Sequence, residues 1–453
     1  MIAHPPSSGK LLSFTPVSAP CPRCGVTVFR NEVRERTLLA ADLHGPAEYQ
    51  VEFSCFICPD HPPGERWFTA LPADWSDAGR YTVPTRMLVM SLVVEHKMSF
   101  QHAAAFAQTH LHIPVVPATV MRWLRAGCPT AEDRVERERT LLARFSGQLT
   151  VDEVYSGGRA LLKATDPLVG DEIAYEFVQG TVDVTVITAF FRRLEERGFK
   201  PVIVTTDGAA FYPAAIAAVW PQAQHQGCVF HFLQGWTKRA MRAIWHCHAL
   251  MPAPKNRGPG RPKKRGRPRA DASKRANRDL VRKCRHLFLK RPENLTEEEQ
   301  GRLRQAIGLY AALGTLRELV VDVYELFGPG VQEPDEARRR RREILANRRF
   351  RLPFLEPLLT ALEDDAVFER LIVALQYENA ERTTNHVERQ NREYRKRQKS
   401  HYRLRTRRSE DALLARMLFL PRKPPRRHPT GAQKLIPRRL PSAAPATEVS
   451  VAS

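Results

Sequence analysis

The sequence lacks any apolar run near the ~20 residues that a membrane-spanning helix needs, although 43% of its 453 residues are hydrophobic. Its first ten residues also lack a basic start followed by an apolar stretch, so we expect no secretory signal. These absences argue against a membrane or exported protein. The length suits two to four domains with a sizeable core.

Cysteine is scarce, with eight residues, and four of them form the CxxC units Cys21–Cys24 and Cys55–Cys58. Two such units favour a reducing compartment and a metal site over disulfides. Four protein ligands suit tetrahedral Zn²⁺ in a closed, structural site. His61 is an alternative fourth ligand. The long spacing between the pairs predicts an internal loop.

Acidic residues are too few to balance the basic ones, with 49 Asp and Glu against 71 Lys and Arg and a net charge of +22. Residues 255–290 carry +13 and residues 389–408 carry +9, so these two stretches account for all of the excess. Charge this concentrated indicates phosphate contacts and a nucleic-acid partner. Two Gly-Arg-Pro units resemble minor-groove AT-hooks and point to Arg261 and Arg267. A flexible basic loop without sequence preference is the alternative.

Residues 83–128 have a helical pattern throughout, with Ser99 as a predicted helix cap. Three short helices ending in a Thr-Val-x-Arg-Trp segment are typical of a helix-turn-helix whose last helix enters the major groove. Arg122 and Arg125 are the predicted DNA contacts. An ordinary helical linker is the alternative interpretation.

A mixed α/β sheet is predicted next, from strands at 148–155, 159–165, 173–179, 202–206 and 226–230 with helices between the later ones. Asp152 lies on the first strand and Asp207 ends the fourth. Carboxylates from neighbouring strands can share Mg²⁺ ions, which activate the attacking oxygen and stabilise the leaving one. Glu153 rivals Asp152, because neighbouring strand residues face opposite sides. A third acid is expected on a late helix.

Four motifs stand in order along the chain. They are Val151-Asp152-Glu153, Thr206-Asp207-Gly208, Cys228-Val-Phe-His231 and Asn385-His-Val-Glu388-Arg389. As an ordered set, and together with the two N-terminal predictions, they resemble the DDE transposases of bacterial insertion sequences, which have a ribonuclease-H-like core.

The resemblance implies Asp152, Asp207 and Glu388 as catalytic residues that bind Mg²⁺ or Mn²⁺. Glu378 and Glu381 are rivals of Glu388. It also implies near-site support from Cys228, His231 and Asn385. For Cys228 and His231, structural support or DNA contact is favoured over a second zinc site, since no further ligand pair stands nearby in the sequence. The basic residues that follow the third acid are placed to hold DNA phosphates; they are Arg389, Arg392 and Arg395.

The fold class predicted is multidomain α/β: a ribonuclease-H-like mixed sheet with a helical insertion, preceded by a zinc ribbon and a helix-turn-helix. The domains are predicted as follows: 1–18 disordered, 19–75 zinc ribbon, 83–128 helix-turn-helix, 146–236 and 371–418 core, 237–370 basic helical insertion, and 421–453 disordered tail.

The expected function is binding of a mobile element's terminal repeats, followed by metal-dependent hydrolysis and strand transfer of DNA. The expected partners are double-stranded DNA, as terminal inverted repeats and target, and a second copy in a homodimer or higher oligomer, with no membrane. A cytoplasmic, nucleoid-associated protein with structural Zn²⁺ is expected. A nuclease without strand transfer and a catalytically silent regulator are the alternatives.

Overall fold

The computed structural model describes residues 10–42, 45–71, 75, 80–127, 129–156, 158–252, 269–400, 406–419 and 434–438. The chain divides into two compact units. The first combines Met1–Glu136 with Gln390–Pro421, and the second combines Arg137–Arg389 with Arg422–Ser453. Within the described part of the chain, no helix is both long enough and apolar enough to cross a membrane.

The first unit begins with a sheet of five strands. They are β1 (Lys10–Phe14), β2 (Ser18–Pro20), β3 (Thr27–Asp42), β4 (Gly45–Ile57) and β5 (Trp67–Thr69). The loop predicted between the cysteine pairs is wrong, because β3 and β4 form a long antiparallel hairpin there. The predicted disorder of residues 1–18 is also wrong at β1. This strand pairs with β4 and packs Leu12 and Phe14 on a buried cluster.

Three helices follow in the predicted order: α1 (Val83–Val94), α2 (Phe100–His110) and α3 (Pro117–Ala126). Ser99 caps α2, because its hydroxyl accepts a hydrogen bond from the backbone N–H of His102 at 3.1 Å. The helices share a core that includes Val89, Ala103 and Val120, each with no exposed surface.

The second unit contains a mixed sheet. After α4 (Ala131–Arg144), its elements are β6 (Gln148–Ser156), β7 (Arg159–Thr165), β8 (Glu172–Gln179), α5 (Val184–Glu196), β9 (Ile203–Thr206), α6 (Phe211–Val219) and β10 (Gln224–Gly227). The strand order is β10-β9-β6-β7-β8, with β7 antiparallel to both neighbours and β6, β9 and β10 mutually parallel. This confirms the ribonuclease-H-like sheet. The last strand ends before the predicted residue 230, because Cys228 already caps a helix.

The insertion is helical, as predicted. Its helices are α7 (Val229–Leu250), α8 (Arg269–Cys284), α9 (Glu297–Leu309), α10 (Ala311–Leu326), α11 (Pro334–Ala346), α12 (Glu356–Glu363) and α13 (Asp365–Ile372). They surround one apolar cluster, to which α10 contributes Leu316, Leu319 and Val323. The indole of Trp236 is fully buried there and donates a hydrogen bond to the carbonyl of Leu358 at 3.1 Å.

The C-terminal helices are α14 (Asn385–Ser400) and α15 (Arg407–Leu418). Their placement differs from the predicted core segment 371–418, because residues 390–418 belong to the first unit. There α15 packs on α1 and α3. Arg416 donates a hydrogen bond to the carbonyl of Leu124 at 3.2 Å, and Arg397 donates one to the carbonyl of Val94 at 3.1 Å.

Disorder throughout 421–453 is wrong for residues 434–438. The backbone N–H of Leu435 donates to the carbonyl of Ser146 at 2.9 Å, and that of Arg438 donates to Gln376 at 2.8 Å. Pro437 bridges to Tyr377 in an antiparallel pair. The segment is ordered because its backbone groups pair with the second unit, a cause that composition does not reveal.

Candidate active site and metal centre

Asp152 lies in the middle of β6, and Asp207 directly follows the carboxyl end of β9, the adjacent parallel strand. The parallel pairing of β6 and β9 runs from Gln148 opposite Ile203 to Thr150 opposite Thr205. Continued by two residues, this register puts Asp152 level with Asp207 and on the same face of the sheet. Ligands of open α/β sheets bind at this edge.

Glu153 faces the opposite side of β6. It shares that face with Leu149 and Val151, which belong to the core beneath α5 and α6. Its carboxylate accepts a hydrogen bond from the hydroxyl of buried Tyr212 at 2.5 Å. Burial, opposed by that hydrogen bond but reinforced by the charges of Asp207 and Asp152, raises the pKa of Glu153 to about 7. The geometry therefore favours Asp152 over Glu153 as the first acid.

This buried carboxyl predicts a pH-dependent stability. Because its folded-state pKa of about 7 exceeds the usual 4.5, the folded protein holds the proton more tightly, and stability falls as pH rises from about 4.5 to 7. Glu153→Gln removes that loss. We expect the free energy of unfolding of the variant to exceed that of wild type by about 2 kcal/mol at pH 8, after a discount for partial exposure. At pH 5 we expect little difference between the two. Thermal unfolding without added Mg²⁺ at the two pH values measures it, and an advantage that does not change with pH would contradict the assignment.

Asp207 follows β9 directly and is half-buried. Its carboxylate accepts a hydrogen bond from the backbone N–H of Ala209 at 2.9 Å, which fixes the turn into α6. The preceding Thr206 is buried, and its hydroxyl lies 2.8 Å from Nε2 of His225. The carboxylate is thus held at a defined position where the strand ends.

Glu388 lies in the first turn of α14, where the helix dipole favours a negative charge. The hydroxyl of Thr384, a fully buried residue, donates a hydrogen bond to its Oε1 at 2.8 Å. His231 Nδ1 lies 3.7 Å from the same oxygen. Asn385 begins the helix and is exposed, and its carbonyl accepts a hydrogen bond from Arg389 at 3.3 Å.

The rival acids occupy other surroundings. Glu381 is tied by its backbone, since its N–H donates to the side-chain oxygen of Gln148 at 2.9 Å and its carbonyl accepts from the same amide at 2.7 Å. Glu378 is exposed, and its N–H donates to the carbonyl of Ile436. Gln148 thereby fixes the segment before α14 to the first strand of the sheet.

Cys228 and His231 connect Glu388 with Asp207. Cys228 caps α7, and its sulfur accepts a hydrogen bond from the backbone N–H of Thr384 at 3.3 Å. Hydrogen bonding to Cys228, opposed by burial but reinforced by the charges of Cys228, Glu388 and Asp207, raises the pKa of His231 to about 9. Burial is the largest effect on the Cys228 thiol and raises its pKa, but hydrogen bonds from His231 and Thr384 outweigh it and leave the pKa lowered.

Two structural links relate the three predicted acids. Strand register relates Asp152 to Asp207. The Cys228–His231 turn links the other two, because the backbone N–H of Cys228 donates to the carbonyl of Thr206 at 2.8 Å and His231 Nδ1 lies 3.7 Å from Glu388 Oε1. Among the described residues the three acids do not form a group with all ligand oxygens within 4.8 Å of one another. Their donor set consists of carboxylate oxygens, which fits Mg²⁺ or Mn²⁺.

A separate group of candidate metal ligands lies in the first unit, where Cys21, Cys24, Cys58 and His61 have their ligand atoms within 4.8 Å of one another. The sulfurs of Cys24 and Cys58 are 3.7 Å apart. His61 Nε2 is buried and has no hydrogen-bond partner within the described residues, as a metal-ligating nitrogen would. Three sulfurs and one imidazole nitrogen fit tetrahedral Zn²⁺.

Cys55 does not lie with this group, so the predicted fourth ligand is corrected to the alternative, His61. The reason is strand alternation: Cys55 is on β4 and packs with Leu38 and Phe53, while Phe56 and Cys58 face the cysteine cluster. The CxxC spacing alone does not reveal this, because the second CxxC motif, Cys55–Cys58, begins inside strand β4.

The predicted DNA-binding residues differ in their exposure and contacts. Four are exposed: Arg122 on α3, and Arg389, Arg392 and Arg395 on α14. Arg125 is half-buried and donates hydrogen bonds to the hydroxyl of Ser409 at 2.6 and 3.2 Å, which joins α3 to α15. Arg261 and Arg267 lie outside the described residues.

Sequence reasoning missed three residues that organise the site. Gln148 clamps the chain before α14, Thr384 holds Glu388, and Tyr212 holds Glu153 away from the Asp152 face. Gln148 and Tyr212 form hydrogen bonds to residues more than 50 positions away, and Thr384 forms one to a residue four positions away. No local pattern marks such partners.

One comparison with known proteins bears on the core of this chain. The model of a family described as "Transposase", the DDE transposases of ISL3 type, matches residues 149–366. That segment runs from β6 into α13 and includes Asp152 and Asp207. The core of this chain is therefore that of a DDE-type insertion-sequence transposase, which confirms the resemblance. Within that class, the segment is similar to the ISL3-type family.

The two other comparisons do not narrow the family further. A search of curated proteins finds no match. Among solved structures, the Drosophila P element transposase strand transfer complex is similar with a TM-score of 0.40 and 12% identity, over 74% of this chain and 91% of that chain.

Proposed function

We propose that this transposase binds the terminal repeats of a mobile element, hydrolyses the phosphodiester at each end, and joins the freed 3′-OH to target DNA. The observation that supports the proposal is the parallel register of β6 and β9, which, continued by two residues, sets mid-strand Asp152 level with Asp207 after the end of β9. Asp152, Asp207 and Glu388 would hold two Mg²⁺ or Mn²⁺ ions. When bound, the ions supply activation of the attacking oxygen and stabilisation of the leaving oxygen.

The chain's own residues hold this arrangement in place. The β6–β9 register fixes the two aspartates, and Thr384 orients Glu388 at the start of α14. Exposed Arg389, Arg392 and Arg395 follow along the same helix. They would neutralise the phosphates that flank the reacting bond and so keep it in line.

We assign recognition of the element's terminal repeats to the first unit. Zn²⁺ held by Cys21, Cys24, Cys58 and His61 would stabilise the ribbon, and α1–α3 would act as the helix-turn-helix with Arg122 at the DNA. Two ends processed together call for a homodimer or higher oligomer on double-stranded DNA. A cytoplasmic, nucleoid-associated location follows from that partner.

The test uses the full chain, Mg²⁺ and a duplex that carries the repeats flanking the element, with a supercoiled plasmid as target. We expect nicks at the repeat ends and joined products that depend on Mg²⁺ and are lost in EDTA. Cleavage without joining would indicate a nuclease. Tight binding with no cleavage would indicate a DNA-binding regulator.

A further inference from the structure

Three residues of different chemistry meet beside the proposed catalytic acids. The thiol of Cys228, the imidazole of His231 and the carboxylate of Glu388 have their ligand atoms within 4.8 Å of one another. Cys228 caps α7 and His231 follows three residues later, so both point from one face of the first turn. Glu388 comes from α14, with its Oε1 3.7 Å from His231 Nδ1.

This donor set differs in kind from that of the three acids. Zn²⁺ accepts sulfur, nitrogen and oxygen ligands together, whereas Mg²⁺ takes oxygen. We propose that Cys228, His231 and Glu388 form a second site for zinc or a similar soft divalent ion, and that occupation of this site withdraws Glu388 from the Mg²⁺ or Mn²⁺ site. The second clause rests on the proposed function, since Glu388 would serve both sites.

The surroundings of Thr384 support a metal-bound sulfur. Its backbone N–H donates to Cys228 Sγ at 3.3 Å, a bond that suits a thiolate ligand. Its hydroxyl lies 2.8 Å from Glu388 Oε1 and 3.2 Å from Cys228 Sγ, yet it has one hydrogen to donate. One of these two acceptors therefore lacks that donor at any moment. A cation between them satisfies both.

The consequence is inhibition by zinc. With Glu388 bound to zinc, two carboxylates remain for the hard ions, so we expect about one equivalent of Zn²⁺ beyond the ribbon's own to lower Mg²⁺-dependent cleavage by roughly tenfold or more. A chelator of intermediate affinity restores the rate. Cys228→Ser needs a much higher zinc concentration for the same inhibition.

The site is tested by cobalt binding to the full chain, purified with one zinc in the ribbon. Zinc binds such ligands more tightly than cobalt, so the ribbon keeps its metal. Co²⁺ bound to Cys228 gives a thiolate-to-cobalt charge-transfer band that saturates near one equivalent. We expect the band in wild type and in Cys247→Ala, which alters a buried cysteine elsewhere on α7, and its loss in Cys228→Ser.

Glu388→Gln tests the oxygen ligand on a half-exposed residue. It keeps the charge-transfer band but should bind cobalt roughly tenfold or more weakly. No band in folded wild type, an equal band in Cys228→Ser, or unchanged affinity in Glu388→Gln would each overturn the site. Absence of DNA cleavage under all conditions would count against the proposed function alone, since the cobalt spectrum does not depend on activity.

Discussion

Asp152→Asn is expected to lower the rate of Mg²⁺-dependent end cleavage by about 10³-fold, roughly 4 kcal/mol of transition-state stabilisation, whereas Glu153→Gln stays within a few-fold of wild type. The two residues are adjacent and both acidic, so the pair is a matched control. Asp152 lies level with Asp207 on the open face, and Glu153 is held by Tyr212 on the core face. Removing the Asp152 charge would take away one of the proposed metal ligands.

Single-turnover cleavage of a pre-bound repeat duplex measures this difference, and the affinity of each variant for the duplex is measured alongside. Equal affinity with a rate loss confined to Asp152→Asn is the expected result. A rate loss in Glu153→Gln with an active Asp152→Asn would assign the first acid to Glu153. It would also mean that β6 presents its opposite face to the DNA.

The second large effect concerns the fourth zinc ligand. His61→Ala is expected to weaken zinc binding by the ribbon by at least about 10²-fold and to unfold the ribbon, because structural zinc contributes about 10 kcal/mol or more of folding free energy in small zinc domains. Cys55→Ala should keep one tightly bound zinc. Its cost is a small packing defect beside Leu38 and Phe53.

Zinc affinity is read by competition with a chromophoric chelator in a Cys228→Ser background, so that only the ribbon is counted. Protease sensitivity of the ribbon, from β1 to β5, reports its folding in the same samples. Loss of zinc in Cys55→Ala with retention in His61→Ala would show that β4 turns at Cys55. The zinc ligands would then be the four predicted cysteines, Cys21, Cys24, Cys55 and Cys58.

Much of the second unit is predictable from the sequence, because its strands are short runs of apolar residues bounded by turns. The strand ending at Asp207 is an example, as are the β7 bounds, which match the prediction. The choice between Asp152 and Glu153 is not predictable. Alternation states only that they face opposite sides, and the face is decided by Tyr212 and the register with β9.

The zinc ligands and the packing of the C-terminal helices could not be predicted from the sequence, for a different reason. Spacing favoured Cys55, but ligand choice depends on where β4 ends, which the hairpin pairing decides. Likewise the packing of α15 on α1 and α3 depends on contacts such as that between Arg416 and Leu124. Such contacts join residues nearly 300 positions apart and leave no local pattern.

The most direct test of the account is cleavage and joining of the terminal-repeat duplex by wild type and Asp207→Asn in Mg²⁺, with binding measured in the same reactions. Asparagine keeps the shape and the hydrogen bond from Ala209 while removing the charge. We predict that both proteins bind the repeats equally, that wild type cuts and joins the ends, and that Asp207→Asn does neither at a measurable rate. Equal chemistry by the two proteins would contradict a site built on Asp207.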